Sequence, residues 1–286
     1  MTAPVHERDI YVTANGLRHH VIARGRPGGR AIMLIHGLTQ QAHVFDGIAG
    51  ILAESFHVYA LDVRGRGESA WGAPEDYNLA TYVADLEAIR EALGLERVML
   101  IGTSMGGMIT MQYAALHPER VARAVLNDIG PEVDPSGGTR IREMLTSAPT
   151  GFKDLKAVAK YYRTENAPMM RLKSDEEVAE YARWHVRHSD SGLYVWKMDR
   201  AVRQVPAEPV PPPLEPWEAL KKMACPVLVV RGAESDVLSR DVCERMVEAL
   251  ADGRAIEVPD VGHAPSFTEP VAREALLEFI GEPGQG

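Results

Sequence analysis

The segment Val98-Met-Leu-Ile-Gly-Thr-Ser-Met-Gly-Gly-Met108 constrains this chain more than any other. An apolar run ends at Gly102, Gly-Thr-Ser-Met-Gly follows, and a helical pattern begins directly after it. That order predicts a strand turning sharply into a helix with Ser104 at the tip, its hydroxyl standing in open space where a base can reach it. Gly102 and Gly106 lie two residues either side of Ser104, where strand and helix backbones would collide if both carried a Cβ. The amide of Met105 opens the helix, has no intrahelical acceptor, and can donate to a developing oxyanion.

The rest of the chain supplies the frame for such a turn. Asn15-Gly16 separates two short strand-like runs and predicts a hairpin. Apolar runs follow at Ala31–Ile35, Phe56–Leu61, Val98–Ile101 and Ala124–Leu126, and resume at Val227–Val230 and Ala255–Val258. Helical spacing fills the gaps, as at Leu79, Tyr82, Val83, Leu86, Ile89, Ala92 and Leu93, where Gly94 stops the pattern. This alternation predicts an α/β fold, a mostly parallel sheet with helices on both faces. Between 131 and 215 the rhythm breaks. No strong strand signal appears there, helix-like stretches carry Tyr161, Tyr162, Tyr181, Trp184, Tyr194 and Trp196, and a proline-rich linker over 205–213 closes the segment. The expectation is a core over 1–130 and 216–286 with a helical cap inserted at 131–215.

Composition narrows the classes of function. Of the 286 residues 45% are hydrophobic and 25% charged, which suits a globular domain with a sizeable core. A net charge of −9 without a Lys/Arg run disfavours nucleic acid as a partner. No apolar run approaches the roughly 18 residues of a membrane span, and the first residues lack the pattern of a secretory leader. The two cysteines, Cys225 and Cys243, read as free buried thiols. A cytoplasmic protein, monomer or homodimer, is expected, with no metal or other cofactor.

Reactive groups in such a sheet gather beyond the carboxyl ends of the strands. Ser104 follows one predicted strand, Asp236 follows Val227–Val230 within Arg231-Gly-Ala-Glu-Ser-Asp-Val-Leu238, and His263 follows Ala255–Val258 within Val261-Gly-His-Ala-Pro265. With the serine, aspartate and histidine in this order, the chain resembles the α/β-hydrolase superfamily. Ile35-His-Gly-Leu38 is similar to that family's His-Gly oxyanion loop, and Leu61-Asp-Val-Arg-Gly-Arg-Gly-Glu-Ser69 to its Asp-x-Arg-Gly-x-Gly-x-Ser loop. His117-Pro-Glu-Arg-Val121 corresponds as well. The resemblance covers nearly all of the chain outside the cap and implies an eight-stranded sheet. It also implies Ser104 as nucleophile, His263 as general base and later acid, and Asp236 as the residue orienting the imidazole. The backbone N–H groups of Leu38 and Met105 would hold the oxyanion.

Two further carboxylates compete with Asp236. Glu234 is its near neighbour, and Asp128 follows the preceding strand, where some members of the family place the acid. His36 reads as a structural histidine because its place in chain order is wrong for the base. Gly65-Arg-Gly67 lacks the lysine of a phosphate loop and reads as a tight turn. His185 and His188 lack a third ligand and read as a solvated cap face. The cap aromatics and Met169-Met170 are either cap core or pocket wall.

A serine at the turn implies acyl transfer, and carboxylic esters or lactones of small, moderately hydrophobic molecules are the expected substrates. Carbon–carbon bond hydrolases of ring-cleavage products share the same three residues, but typically carry a tryptophan after the histidine, where this chain has Ala264-Pro265. Cofactor-free perhydrolases and non-catalytic small-ligand receptors built on the same fold are the remaining alternatives.

Overall fold

The computed structural model describes residues 7–165, 170, 173–204 and 210–281. Met169, the first half of the proline-rich linker and the two chain ends lie outside them. The Asn15-Gly16 turn has positive φ at both residues and joins β1 (Glu7–Ala14) to β2 (Leu17–Arg24) as an antiparallel hairpin. Next come β3 (Ala31–Ile35), α1 (Asp46–Leu52) and β4 (His57–Leu61), then α2 (Leu79–Ala92), whose first turn is capped by the Asn78 side chain on the Thr81 N–H. β5 (Val98–Thr103), α3 (Met105–Leu116) and β6 (Val121–Asn127) complete the first half.

An inserted segment then holds α4 (Pro135–Ser147), α5 (Leu155–Glu165), α6 (Asp175–His185), β7 (Val186–His188) and β8 (Tyr194–Trp196). The chain returns through α7 (Pro216–Lys222), β9 (Val227–Gly232), α8 (Arg240–Ala249), β10 (Gly253–Val258) and α9 (Pro270–Gly281). The eight strands outside the insertion form one sheet in the order β1-β2-β4-β3-β5-β6-β9-β10, parallel throughout from β4 to β10. β3, β4 and β5 are buried along their whole length, which accounts for their unbroken apolar runs. Side chains of α1 and α9 pack on one face of the sheet, and those of α2, α3, α7 and α8 on the other.

The insertion departs from the sequence reading in one respect. It is not wholly helical, because β7 and β8 pair as an antiparallel hairpin, and Phe152 bridges to Tyr194 beside them. Strands of three residues are too short to leave a periodic signal. The aromatics form the insertion's own core: Tyr162 is buried, and Tyr161, Tyr181 and Trp196 meet it edge-on. Cys225 and Cys243 are buried free thiols, and burial pushes both up to about 11.

The crossing of β5, α3 and β3 is the tightest point that bears on Ser104. A Cβ on Gly102 would collide with the Gly106 carbonyl, and one on Gly106 with the Ile35 carbonyl. Backbone atoms cannot move aside as a rotamer can. Gly106→Ala is therefore expected to cost at least about 1–3 kcal/mol. Gly138→Ala, on α4 with nothing near the new methyl, should be neutral or gain up to about 1 kcal/mol. Urea unfolding midpoints of the two variants check this contrast.

Candidate active site

Ser104 caps α3 at φ 52 and ψ −117, a conformation L-residues seldom adopt, and its N–H donates to the Asn127 carbonyl. The strained backbone aims Oγ away from both strand and helix. There it lies 2.9 Å from His263 Nε2. On the far side of the ring, His263 Nδ1 lies 2.7 Å from Asp128 Oδ2. An ionised carboxylate only accepts, so Nδ1 carries the ring proton and Nε2 is left to accept from the serine hydroxyl.

Asp128 sits where β6 ends, itself at φ 55, and is fully buried. Its Oδ1 accepts from the Gly232 N–H at 2.8 Å, and its Oδ2 from the Ser235 hydroxyl at 2.6 Å. These donors compensate a buried charge that would otherwise be costly. Asn127 supplies a second tie: its Nδ2 donates to Thr103 Oγ1 and to the Pro265 carbonyl, joining the histidine loop to the serine strand.

This geometry corrects the sequence reading of Asp236. Its carboxylate takes a bidentate grip from Arg140 of α4, with Nε to Oδ2 at 2.5 Å and Nη2 to Oδ1 at 2.8 Å, and makes no hydrogen bond to His263. Arg140 holds Asp236 below the usual carboxylate range, with the charge of His263 a minor influence. Both aspartates follow their strands as expected, but a cation from the insertion engages one and the imidazole the other. Nothing in the local sequence announces Arg140. Glu234, the other candidate, makes no hydrogen bond to His263 either, whose two ring nitrogens are taken by Asp128 and Ser104.

The loop after β3 is fixed from several sides. His36 is buried, donates from Nδ1 to the Gly37 carbonyl and accepts the Val63 N–H on Nε2. Gln40 Oε1 takes the Gly37 N–H. Arg66, almost wholly buried, donates to the Leu38 carbonyl at 3.1 Å, to Tyr82 and to the Arg64 carbonyl, and contacts Met105 Sδ. The Leu38 and Met105 N–H groups have no acceptor among the described residues, and both residues line the same cavity as Ser104. Gly65 and Gly67 take positive φ in the turn that carries Arg66, with Asp62 accepting the Glu68 N–H across it. The sequence marked this turn but not the role of Arg66.

The cavity over Ser104 has a volume of about 250 Å³. Its wall is aliphatic and thioether: Met105, Met108 and Ile129 from the sheet side, Ile141 and Met144 from α4. None of the insertion's aromatics lines it; Tyr161, Tyr162 and Trp196 face a narrow adjoining space of about 20 Å³. His185 is buried rather than on a solvated face, donating from Nδ1 to the Tyr181 carbonyl, while His188 is exposed. Among the described residues no group of three His, Cys, Asp or Glu is placed to hold a metal, and no helix is long and apolar enough to cross a membrane.

Comparison with known proteins agrees with the fold. A sequence model described as the alpha/beta hydrolase fold matches residues 30–270. The chain is 35% identical over 260 residues to the 3-hydroxybutyrate-oligomer hydrolase of Cupriavidus necator, covering 88% of each protein. It is 26% identical over 261 residues to the 2-(acetamidomethylene)succinate hydrolase of Mesorhizobium japonicum, covering 90% of each. The crystal structure of an alpha/beta hydrolase from Novosphingobium aromaticivorans superposes with a TM-score of 0.87 at 31% identity, over 98% of this chain and 99% of that one.

Two histidines around the site predict an acid response of stability. Burial pushes His36 and His185 each down to about 4, so both stay neutral in the fold while the unfolded chain binds protons near 6.5. Their contribution is complete above pH 6.5 and is lost as pH falls toward 4. His185→Gln should flatten the decline between pH 7 and 5 by up to about 1.4 kcal/mol per pH unit. Urea unfolding at pH 7, 6 and 5 reads this, and a slope unchanged by the substitution would contradict it.

Proposed function

Because this chain belongs to the α/β-hydrolase fold family, we propose that it is a serine hydrolase of carboxylic esters, working through an acyl-enzyme on Ser104 beneath the inserted segment as a cap. The observation that carries the proposal is the continuous relay from Ser104 Oγ through His263 to the buried Asp128. Ser104 attacks the ester carbonyl as His263 Nε2 takes its proton. Asp128 stabilises the imidazolium and keeps the ring in register. The N–H groups of Leu38 and Met105 receive the tetrahedral oxyanion, and the Gly37 carbonyl of the Leu38 peptide is held on its other side by His36 Nδ1 and the Gln40 N–H. His263 then protonates the departing alcohol, activates water against the acyl-enzyme, and the acid leaves.

The mostly apolar cavity favours a small acyl or alkyl group. The resemblance to the 3-hydroxybutyrate-oligomer hydrolase supports an ester over a carbon–carbon bond. Ala264, in place of a tryptophan after the histidine, points the same way.

Titration with a fluorophosphonate, followed by p-nitrophenyl esters of rising chain length, tests the reading. One label per chain, absent in Ser104→Ala, with turnover of short and medium esters, is expected; labelling without turnover of any ester would overturn it. Asp128→Asn should lower kcat about 10³–10⁴-fold while the protein stays folded. Asp236→Asn, which breaks a pair about one-third exposed, should cost no more than about tenfold. The reverse order would return the acid's role to Asp236.

A further inference from the structure

In a wall otherwise built from neutral side chains and His263, Arg140 is the one permanently charged residue lining the cavity over Ser104 among the described residues. Its partner Asp236 stands outside that wall. The grip uses one edge of the guanidinium, Nε and Nη2, and Nη1 has no hydrogen-bond partner among the described residues. A guanidinium has a second edge, made by Nη1 and the remaining Nη2 proton, that matches a carboxylate in the same bidentate way. Asp236 therefore occupies one edge, fixes the plane of the guanidinium, and leaves the other edge unbonded on a residue of the cavity wall.

The surroundings hold this arrangement in place. Asp134 N–H donates to the Val237 carbonyl at the start of α4. A Cβ on Gly137 would collide with the Asp236 carbonyl, so α4 packs against the Asp236 loop at backbone contact. Arg140 is thus carried by a helix packed directly against the loop that holds its partner. Its charge is favoured first by the Asp236 hydrogen bonds, with Asp128 adding a weaker attraction.

We infer that Arg140 is a specificity residue that binds a carboxylate carried by the substrate at a distance from the scissile ester, and that Asp236 is its positioning residue. The substrate class is then a half-ester or a hydroxy-acid ester with a free acid end, and the apolar wall holds the carbon chain between. This rests on the reading of Ser104 as the acyl-transfer nucleophile.

The test compares ethyl hydrogen glutarate and ethyl hydrogen adipate with the corresponding ethyl ester carboxamides, followed by proton release in a pH-stat. The quantity read is the ratio of kcat/KM for acid over amide, which cancels any general effect of the substitution on the reacting groups. Arg140→Gln should lower that ratio about 10- to 100-fold, chiefly through KM, and Arg140→Lys should recover part of it. Asp236→Asn should lower it less than Arg140→Gln does. Arg142→Gln, which removes an exposed charge from the same helix, should leave it unchanged. A ratio unaffected by Arg140→Gln at both chain lengths overturns the inference. So does a ratio lowered instead by Arg203→Gln, which faces the adjoining space. If no ester of either kind is turned over, the esterase reading itself fails, and fluorophosphonate labelling of Ser104 separates that result from loss of charge recognition alone.

Discussion

The contact on which the rest of this structure depends is the crossing of backbones at Gly102, Gly106 and the end of β3. There the helix starts hard against the strand that feeds it, and Ser104 takes its positive-φ conformation at the junction. The parallel sheet supplies the remainder. Its order runs β5-β6-β9-β10, so the ends of β5, β6 and β10 bring Ser104, Asp128 and His263 into one small volume, with the β9 loop supplying donors to Asp128. A residue on each neighbouring loop can reach the serine without a long detour of chain.

Much of this was legible in the sequence, and the reason is locality. The elbow, the buried strands, Ser104 and His263 are each specified by a few adjacent residues whose sterics allow little else. The loop after β3 was marked through Ile35-His-Gly-Leu38, and its ties, His36 to the Gly37 carbonyl and Gln40 to the Gly37 N–H, are local. The acid was not. Asp128 and Asp236 both follow a strand, both are flanked by turn residues, and either carboxylate satisfies the chain order. What separates them is Arg140, ninety-odd positions away from Asp236, together with the Gly232 and Ser235 donors that enclose Asp128. Long-range pairings of this kind leave no periodicity. The β7–β8 hairpin was missed for the opposite reason, being local but too short to show a repeat.

Charge is distributed in the site according to depth. Asp128 lies at zero exposure and is compensated by the Gly232 N–H, the Ser235 hydroxyl and the imidazole of His263. Asp236 lies nearer the surface, where its pairing with Arg140 is partly screened. The two aspartates thus differ in burial and in partner, the imidazole of His263 for Asp128 and the guanidinium of Arg140 for Asp236. Arg66 shows the same logic with the sign reversed, a buried cation satisfied by carbonyls and a phenol rather than by an acid.

The Asn127 side chain, spanning from Thr103 to Pro265, makes the histidine loop part of the sheet. Serine, aspartate and histidine are therefore registered to one rigid layer, while α4 and the rest of the insertion form a roof attached through a separate set of contacts. The cavity between them is walled from both sides, by Met105, Met108 and Ile129 below and by Arg140, Ile141 and Met144 above. A change in α4 alters that wall without touching the hydrogen bonds that align Ser104, His263 and Asp128, none of which is made by a residue of the insertion.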